Sequence, residues 1–123
     1  MKTVAVALAV LFLATPALAD VTEQYKVRNA QDLVSLCGRD ASAVDYVAAM
    51  NFCHGYTVGA YAYYHSVIEA DPDAKIVCVK QPYPERKKVI ADFVAWGKAH
   101  ESFMKDGAVD TFFRFLVETF PCK

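Results

Sequence analysis

From Tyr46 to Ile68 the chain reads YVAAMNFCHGYTVGAYAYYHSVI, without a single Asp, Glu, Lys or Arg; Asp45 precedes it and Glu69 follows. Nothing else in the sequence constrains the fold as strongly. The stretch is long enough for about six helical turns, and an uncharged helix is ordinarily a buried one. Wound as a helix, it gathers Val44, Ala48, Gly55, Gly59, Ala62 and Ser66 on one side, and Tyr46, Met50, Cys53, Thr57, Tyr64 and Ile68 on the other. The expectation is a central, buried helix whose small-residue stripe lets a second helix approach closely. Gly59→Leu would then overpack the crossing.

What precedes this stretch bears on the compartment. Met1-Lys2-Thr3 is a short basic start, Val4 to Ala14 an apolar run, and Ala17-Leu18-Ala19 a small-x-small cleavage site. That is the pattern of a secretory signal peptide over residues 1–19, too short to be a membrane anchor. Cleavage would leave one domain, Asp20 to Lys123 (123 − 19 = 104 residues), located in the periplasm and without a membrane anchor. The mature chain keeps all 14 acidic residues and 12 of the 13 basic ones, a net charge of −2. With no basic run beyond Arg86-Lys87-Lys88, nucleic acid is not an expected partner. A domain of this size has a modest core and benefits from covalent staples. Cys37, Cys53, Cys78 and Cys122 supply them. They form no CxxC, so neither thiol redox chemistry nor structural zinc is indicated. In an oxidising compartment they read as two disulfides, with three pairings open.

Around the central stretch the pattern is helical. Asn29 is a candidate N-cap for a short helix carrying Leu33, Val34, Leu36 and Cys37, which Gly38 stops. Ser42, with Asp45 three residues on, is the candidate cap of the central helix. Asp71-Pro72-Asp73 ends that helix. Ile76 to Val79 is an apolar run too short to assign as a strand. Pro84 suits the first position of a third helix, with Glu85 in its first turn and Val89, Ile90, Phe93, Val94 and Trp96 or Gly97 at helical spacing. Lys98 to Gly107 is polar and turns the chain. Val109, Phe112, Phe113, Leu116, Val117 and Phe120 mark a fourth helix, stopped by Pro121. The fold class is all-α, a compact bundle of about four helices stapled by two disulfides.

No constellation for catalysis emerges. There is no GxSxG nucleophile motif. His54 and His65 share a helix face but stand about 16 Å apart along the axis, too far to share a metal ion. They read as partly buried histidines, and His100 as a surface loop residue. Glu69, Asp71 and Asp73 cluster after the central helix and read as a solvated loop, with a cation site or acidic contact patch as the alternative. Tyr56, Tyr61, Tyr63 and Tyr64 divide between core positions and a sticky interface. No cofactor, no metal and no enzymatic activity is expected.

Several motifs together resemble a known family. Leu36-Cys37, then Phe52-Cys53-His54-Gly55-Tyr56-Thr57-Val58-Gly59, then Cys78, then Phe120-Pro121-Cys122 are similar to the Rap/Tai family of small periplasmic immunity proteins. The likeness covers Asp32 to Cys122. One departure stands out: where the family often has His-Pro after the third helix, this chain has His100-Glu101. The resemblance implies an all-helical protein that binds and inhibits a peptidoglycan amidase toxin delivered by type VI secretion. It implies no catalysis, and it allows a homodimer. The loops flanking the third helix, Asp71, Asp73 and Lys75 on one side and His100, Glu101 and Lys105 on the other, are the candidate partner-binding residues. The alternative of a different class is a periplasmic stress protein, such as a small helical acid-stress chaperone.

Helix order favours one cysteine pairing. Cys37 closes the first helix. Five residues, 38 to 42, span up to about 17 Å, enough to bring Cys53 within reach. Antiparallel third and fourth helices put the start of one beside the end of the other, and so Cys78 beside Cys122. The expected bridges are Cys37–Cys53 and Cys78–Cys122. In the chain-entropy account each bridge is worth about 3 kcal/mol, and the second, which closes the longer loop, should matter slightly more. Non-reduced peptide mapping checks the pairing, and denaturant melts of the two paired Cys→Ala variants check the order of the losses. A peptide joining Cys37 to Cys78 or Cys122 would refute the helix order.

Overall fold

The computed structural model describes residue 23 and residues 25–123; the signal-peptide assignment at residues 1–19 falls outside them. Among the described residues there are four α-helices and no strand: α1 (Ala30–Cys37), α2 (Tyr46–Ala70), α3 (Arg86–Ala99) and α4 (Ala108–Thr119). Short 3-10 turns at Pro72–Ala74 and Glu101–Phe103 follow α2 and α3. No helix among the described residues is long and apolar enough to cross a membrane.

The smallest helix is the hub. α1 has only eight residues, too few to hold a helix alone. Yet Ala30, Leu33, Val34, Leu36 and Cys37 are all buried, and α2, α3 and α4 each pack against it. Its first turn is fully satisfied, which a buried helix end requires. Asn29 caps it, its side chain accepting the Asp32 N–H at 3.0 Å. The Ala30 and Gln31 N–H groups donate to the carbonyls of Asp106 (2.9 Å) and Met104 (3.0 Å), and Leu33 N–H to that of Asn29 (3.4 Å). The turn between α3 and α4 is therefore shaped to cap α1. Arg28 Nε lies 3.0 Å from Asp32 Oδ2, and this bond with its charge lowers the Asp32 carboxyl pKa.

Close helix approach occurs around α1 rather than along the stripe on α2. A Cβ built on Gly97 of α3 would stand 2.7 Å from Val34 Cγ2, and one on Gly38 would stand 2.9 Å from Val94 Cγ1 and 3.0 Å from the Val34 carbonyl. Gly38 does stop α1, but at φ −100° it needs no left-handed freedom; it is small because α3 lies against it. Gly55 and Gly59 have no atom of another element within 4 Å of where a Cβ would be. The expected crossing on the Gly55–Gly59 stripe is therefore wrong, and so is the fully buried central helix. α2 buries Ala49, Cys53, Thr57 and Tyr64 and turns the stripe to solvent. Cys53 explains the orientation: its bond to Cys37 on the buried α1 pulls that face inward.

Other details correct the expectations. Ser42 does not cap α2. Its N–H and hydroxyl turn to Asp40 Oδ1, and Asp45 stands at the cap position without a side-chain bond. Asp45 instead lies 3.3 Å from Arg39 Nε. α3 begins at Arg86, two residues after Pro84, and the Gln81–Pro82 bond before it is cis. The 76–79 run makes one bridge, Val77 opposite Pro121, with Cys78 N–H bonded to Phe120 O at 2.8 Å. On α4 the buried face is Ala108, Thr111, Phe112, Phe115 and Leu116, and Val109 is left exposed. Phe93, Phe112 and Phe115 form the aromatic centre of the core. Trp96 Nε1 ties α3 to Glu118 of α4 at 2.6 Å.

Both disulfides are formed as expected, Cys37–Cys53 with Cα atoms 5.1 Å apart and Cys78–Cys122 with 4.9 Å. The glycines give a sharp test of the packing. Gly97→Ala should lose about 1–3 kcal/mol by overpacking against Val34. Gly59→Ala should gain up to about 1 kcal/mol from helix propensity, and Gly59→Leu should be tolerated. Urea melts of the three variants decide it; equal losses at both sites would contradict the packing described.

Candidate docking surfaces

The face of α2 opposite its buried residues is exposed, and among the described residues no other element packs on its glycines. It carries Val47, Ala48, Asn51, Gly55, Val58, Gly59, Ala62, Tyr63 and Ser66, and none of these is charged. Val47 and Tyr63 are 69% and 74% exposed, and Val44 just before the helix is fully exposed. From Val47 to Ser66 the face runs about 29 Å along the axis. Between Val47 and Tyr63 its small residues, Ala48, Gly55, Gly59 and Ala62, keep the middle of the face low. His54 is half-buried and His65 exposed on its flank, and the His65 ring stands edge-on to Tyr61 at 4.9 Å.

The two loops named from the sequence lie elsewhere. Asp71, Asp73 and Lys75 surround the 3-10 turn after α2 and are exposed. Asp71 has a local task there: Oδ1 accepts the Asp73 N–H at 3.2 Å and caps the turn. Asp73 and Lys75 share no ion pair among the described residues. The strand-like residues that follow are held on both sides. The Tyr64 hydroxyl on α2 accepts the Ile76 and Val77 N–H groups at 2.9 and 3.0 Å, and Cys78 is bonded to the end of α4. Loop 71–75 thus leaves a helix and enters an anchored segment. Helical periodicity sets Tyr64 on the face of Cys53 and Thr57, but nothing in the sequence points to its hydroxyl as the anchor of residues 76 and 77.

The second set lies in the turn before α4, whereas Cys78, just after the first loop, is bonded beyond the other end of α4, a helix of 12 residues and about 18 Å. Glu101 and Lys105 are exposed. His100 is not the free loop residue expected. Its ring stacks on Trp96 at 4.2 Å and lies 6.1 Å from Phe103, and its Nδ1 is 2.7 Å from the Trp96 carbonyl. The Arg114 guanidinium stands over the Phe103 ring at 4.9 Å. His100 therefore braces the turn that caps α1. The structure does not bring the two loop sets together into one patch; they are the two ends of one helical layer.

What these surfaces offer is contact rather than reaction. The exposed carboxylates and ammonium groups of the loops supply charge, and the α2 face supplies uncharged area. A family model described as Rap1a immunity proteins matches residues 29–122. No curated protein and no solved structure matches the chain.

Proposed function

The chain belongs to the Rap1a immunity protein family, and on that premise we propose that it binds and inhibits a peptidoglycan amidase toxin delivered by type VI secretion, acting in the periplasm after removal of residues 1–19. An immunity protein has a toxin protein as its partner and acts by occupying it. The observation that carries the reading is the family match from Asn29 to Cys122, which spans all four helices and both disulfides. Two closed disulfides suit an oxidising, extracytoplasmic compartment.

We assign the toxin contact to the loops at the two ends of α4, Asp73 and Lys75 with Glu101 and Lys105. Both leave rigid elements, so their ordering costs little on binding. Asp71 and His100 hold these loops in shape. The purified protein, mixed with its cognate peptidoglycan amidase toxin, should form a tight complex and stop hydrolysis of peptidoglycan. Reversing the four charges should weaken the complex and leave the melting temperature unchanged. A protein that leaves the amidase active, but suppresses client aggregation on acidification, would be a stress chaperone instead.

We assign the open face of α2 to a second copy of the chain. A two-fold contact sets each residue against a patch of its own kind, and like charges there would repel. The face from Val47 to Ser66 has none. Val47→Glu together with Gly59→Glu should shift the protein from dimer to monomer in sedimentation without loss of helix. A parent that is already monomeric at high concentration would refute the assignment.

A further inference from the structure

A cleft of about 560 Å³ opens between the second half of α2, the 75–86 segment, the start of α3 and the end of α4. That volume lies within the range of small-molecule sites. Its floor is apolar and buried: Val77, Ile90, Phe112 and Leu116 are each less than 5% exposed. Ile68, Val79, Val89 and Phe120 continue the walls. A floor of this kind holds water poorly, since a bound water needs two to four polar partners.

The mouth is different in character. Lys75 and Arg86 stand at its rim with His65, Tyr61 and Tyr83, and no Asp or Glu is among the lining residues. Neither cation is in an ion pair among the described residues. No hydrogen bond among those residues uses the side chains of Tyr61, His65 or Tyr83. Burial, and then the neighbouring Tyr64 and Tyr83, push the Tyr61 phenol pKa up, which keeps it a neutral donor. Two permanent positive charges and two phenol groups thus ring an apolar hollow with no carboxylate to balance them. Arg28, Lys88 and Arg114, by contrast, each have a carboxylate one turn away on their own helix or its approach.

We infer that this cleft binds a small amphipathic anion, an alkyl chain lying on the Val77–Ile90–Phe112–Leu116 floor with its anionic head between Lys75 and Arg86. The cleft meets the open face of α2 along one edge, at Val58, and its reading stands whether or not the toxin reading does. An alkyl chain supplies the apolar contact that water cannot, and a negative head can pair with two cations that have no ion-pair partner among the described residues. A guanidinium suits either a carboxylate or a phosphate by paired hydrogen bonds. The head could therefore come from a free fatty acid or from a lipid phosphate.

Calorimetric titration of the disulfide-intact protein with dodecanoate, dodecyl phosphate and dodecyltrimethylammonium, each below its micelle concentration, tests the inference. Dodecanoate or dodecyl phosphate should bind one to one in the micromolar range, and whichever binds more tightly identifies the head group. The cationic amphiphile should bind at least about tenfold more weakly, because its head meets like charge at the mouth. Lys75→Glu with Arg86→Glu, both at exposed positions, should weaken anion binding at least about tenfold and narrow the preference between heads. Val89→Trp, confirmed folded by circular dichroism, should fill the cleft and block every amphiphile. Equal binding of anionic and cationic heads, binding unchanged by the charge reversal, or no binding of any of the three would overturn the site.

Discussion

The fold depends on the contact of Val34 with Gly97. A helix of eight residues cannot hold itself together in water, and α1 is helical because three longer helices close around it. The closest of those approaches needs the missing side chain of Gly97, since any Cβ there would collide with a Val34 methyl. Val94 presses in the same way on Gly38. With α3 seated, the turn that follows it reaches the start of α1 and accepts its first N–H groups. The short helix thus gains both its packing and its cap from α3 and the chain just after it. The Cys37–Cys53 bridge then fixes which face of α2 points inward.

This arrangement was partly legible in the sequence. The four helices, the Asn29 cap and both disulfides follow from local signals: a side chain that accepts an N–H, apolar residues at helical spacing, and cysteines placed by helix order. The role of the glycines did not follow. Small residues at helical spacing announce a close approach, but not which partner makes it. Gly55 and Gly59 carry that signal and face solvent, whereas single glycines at 38 and 97 make the real contact. Absence of charge on α2 was equally ambiguous. It indicates a surface that avoids charge, and a surface reserved for another molecule avoids it as a core does. Among the candidate contact residues, exposure at 73, 75, 101 and 105 agreed with a loop reading. His100 did not, because its stacking on Trp96 depends on a turn whose shape the sequence leaves open.

The open face of α2 and the charged loops divide the surface by chemistry. Uncharged, low relief suits a permanent contact, where close packing of backbones supplies the attraction. Charged loops suit an encounter between different molecules, where complementary potential speeds association and rejects wrong partners. A binding protein with a modest core has few ways to keep such surfaces stiff, and here the covalent staples do so. Cys37–Cys53 stiffens the start of α2, and Cys78–Cys122 stiffens the segment beside the 71–75 loop.

The same segment links the loop to the cleft. Residues 76–79 are held by the Tyr64 hydroxyl on one side and by the end of α4 on the other. Val77 and Val79 then form part of the cleft, while Lys75, at the upstream end of the segment, stands both in the loop and at the mouth. A molecule in the cleft would touch the segment that positions Lys75, and a partner on the loop would touch the same side chain. Such shared residues couple two sites by differential contact, and the coupling has a sign: an anion that neutralises Lys75 removes a charge the partner would otherwise meet. If the cleft takes an anion and a partner uses the Lys75 ammonium, the two would oppose one another through that one side chain.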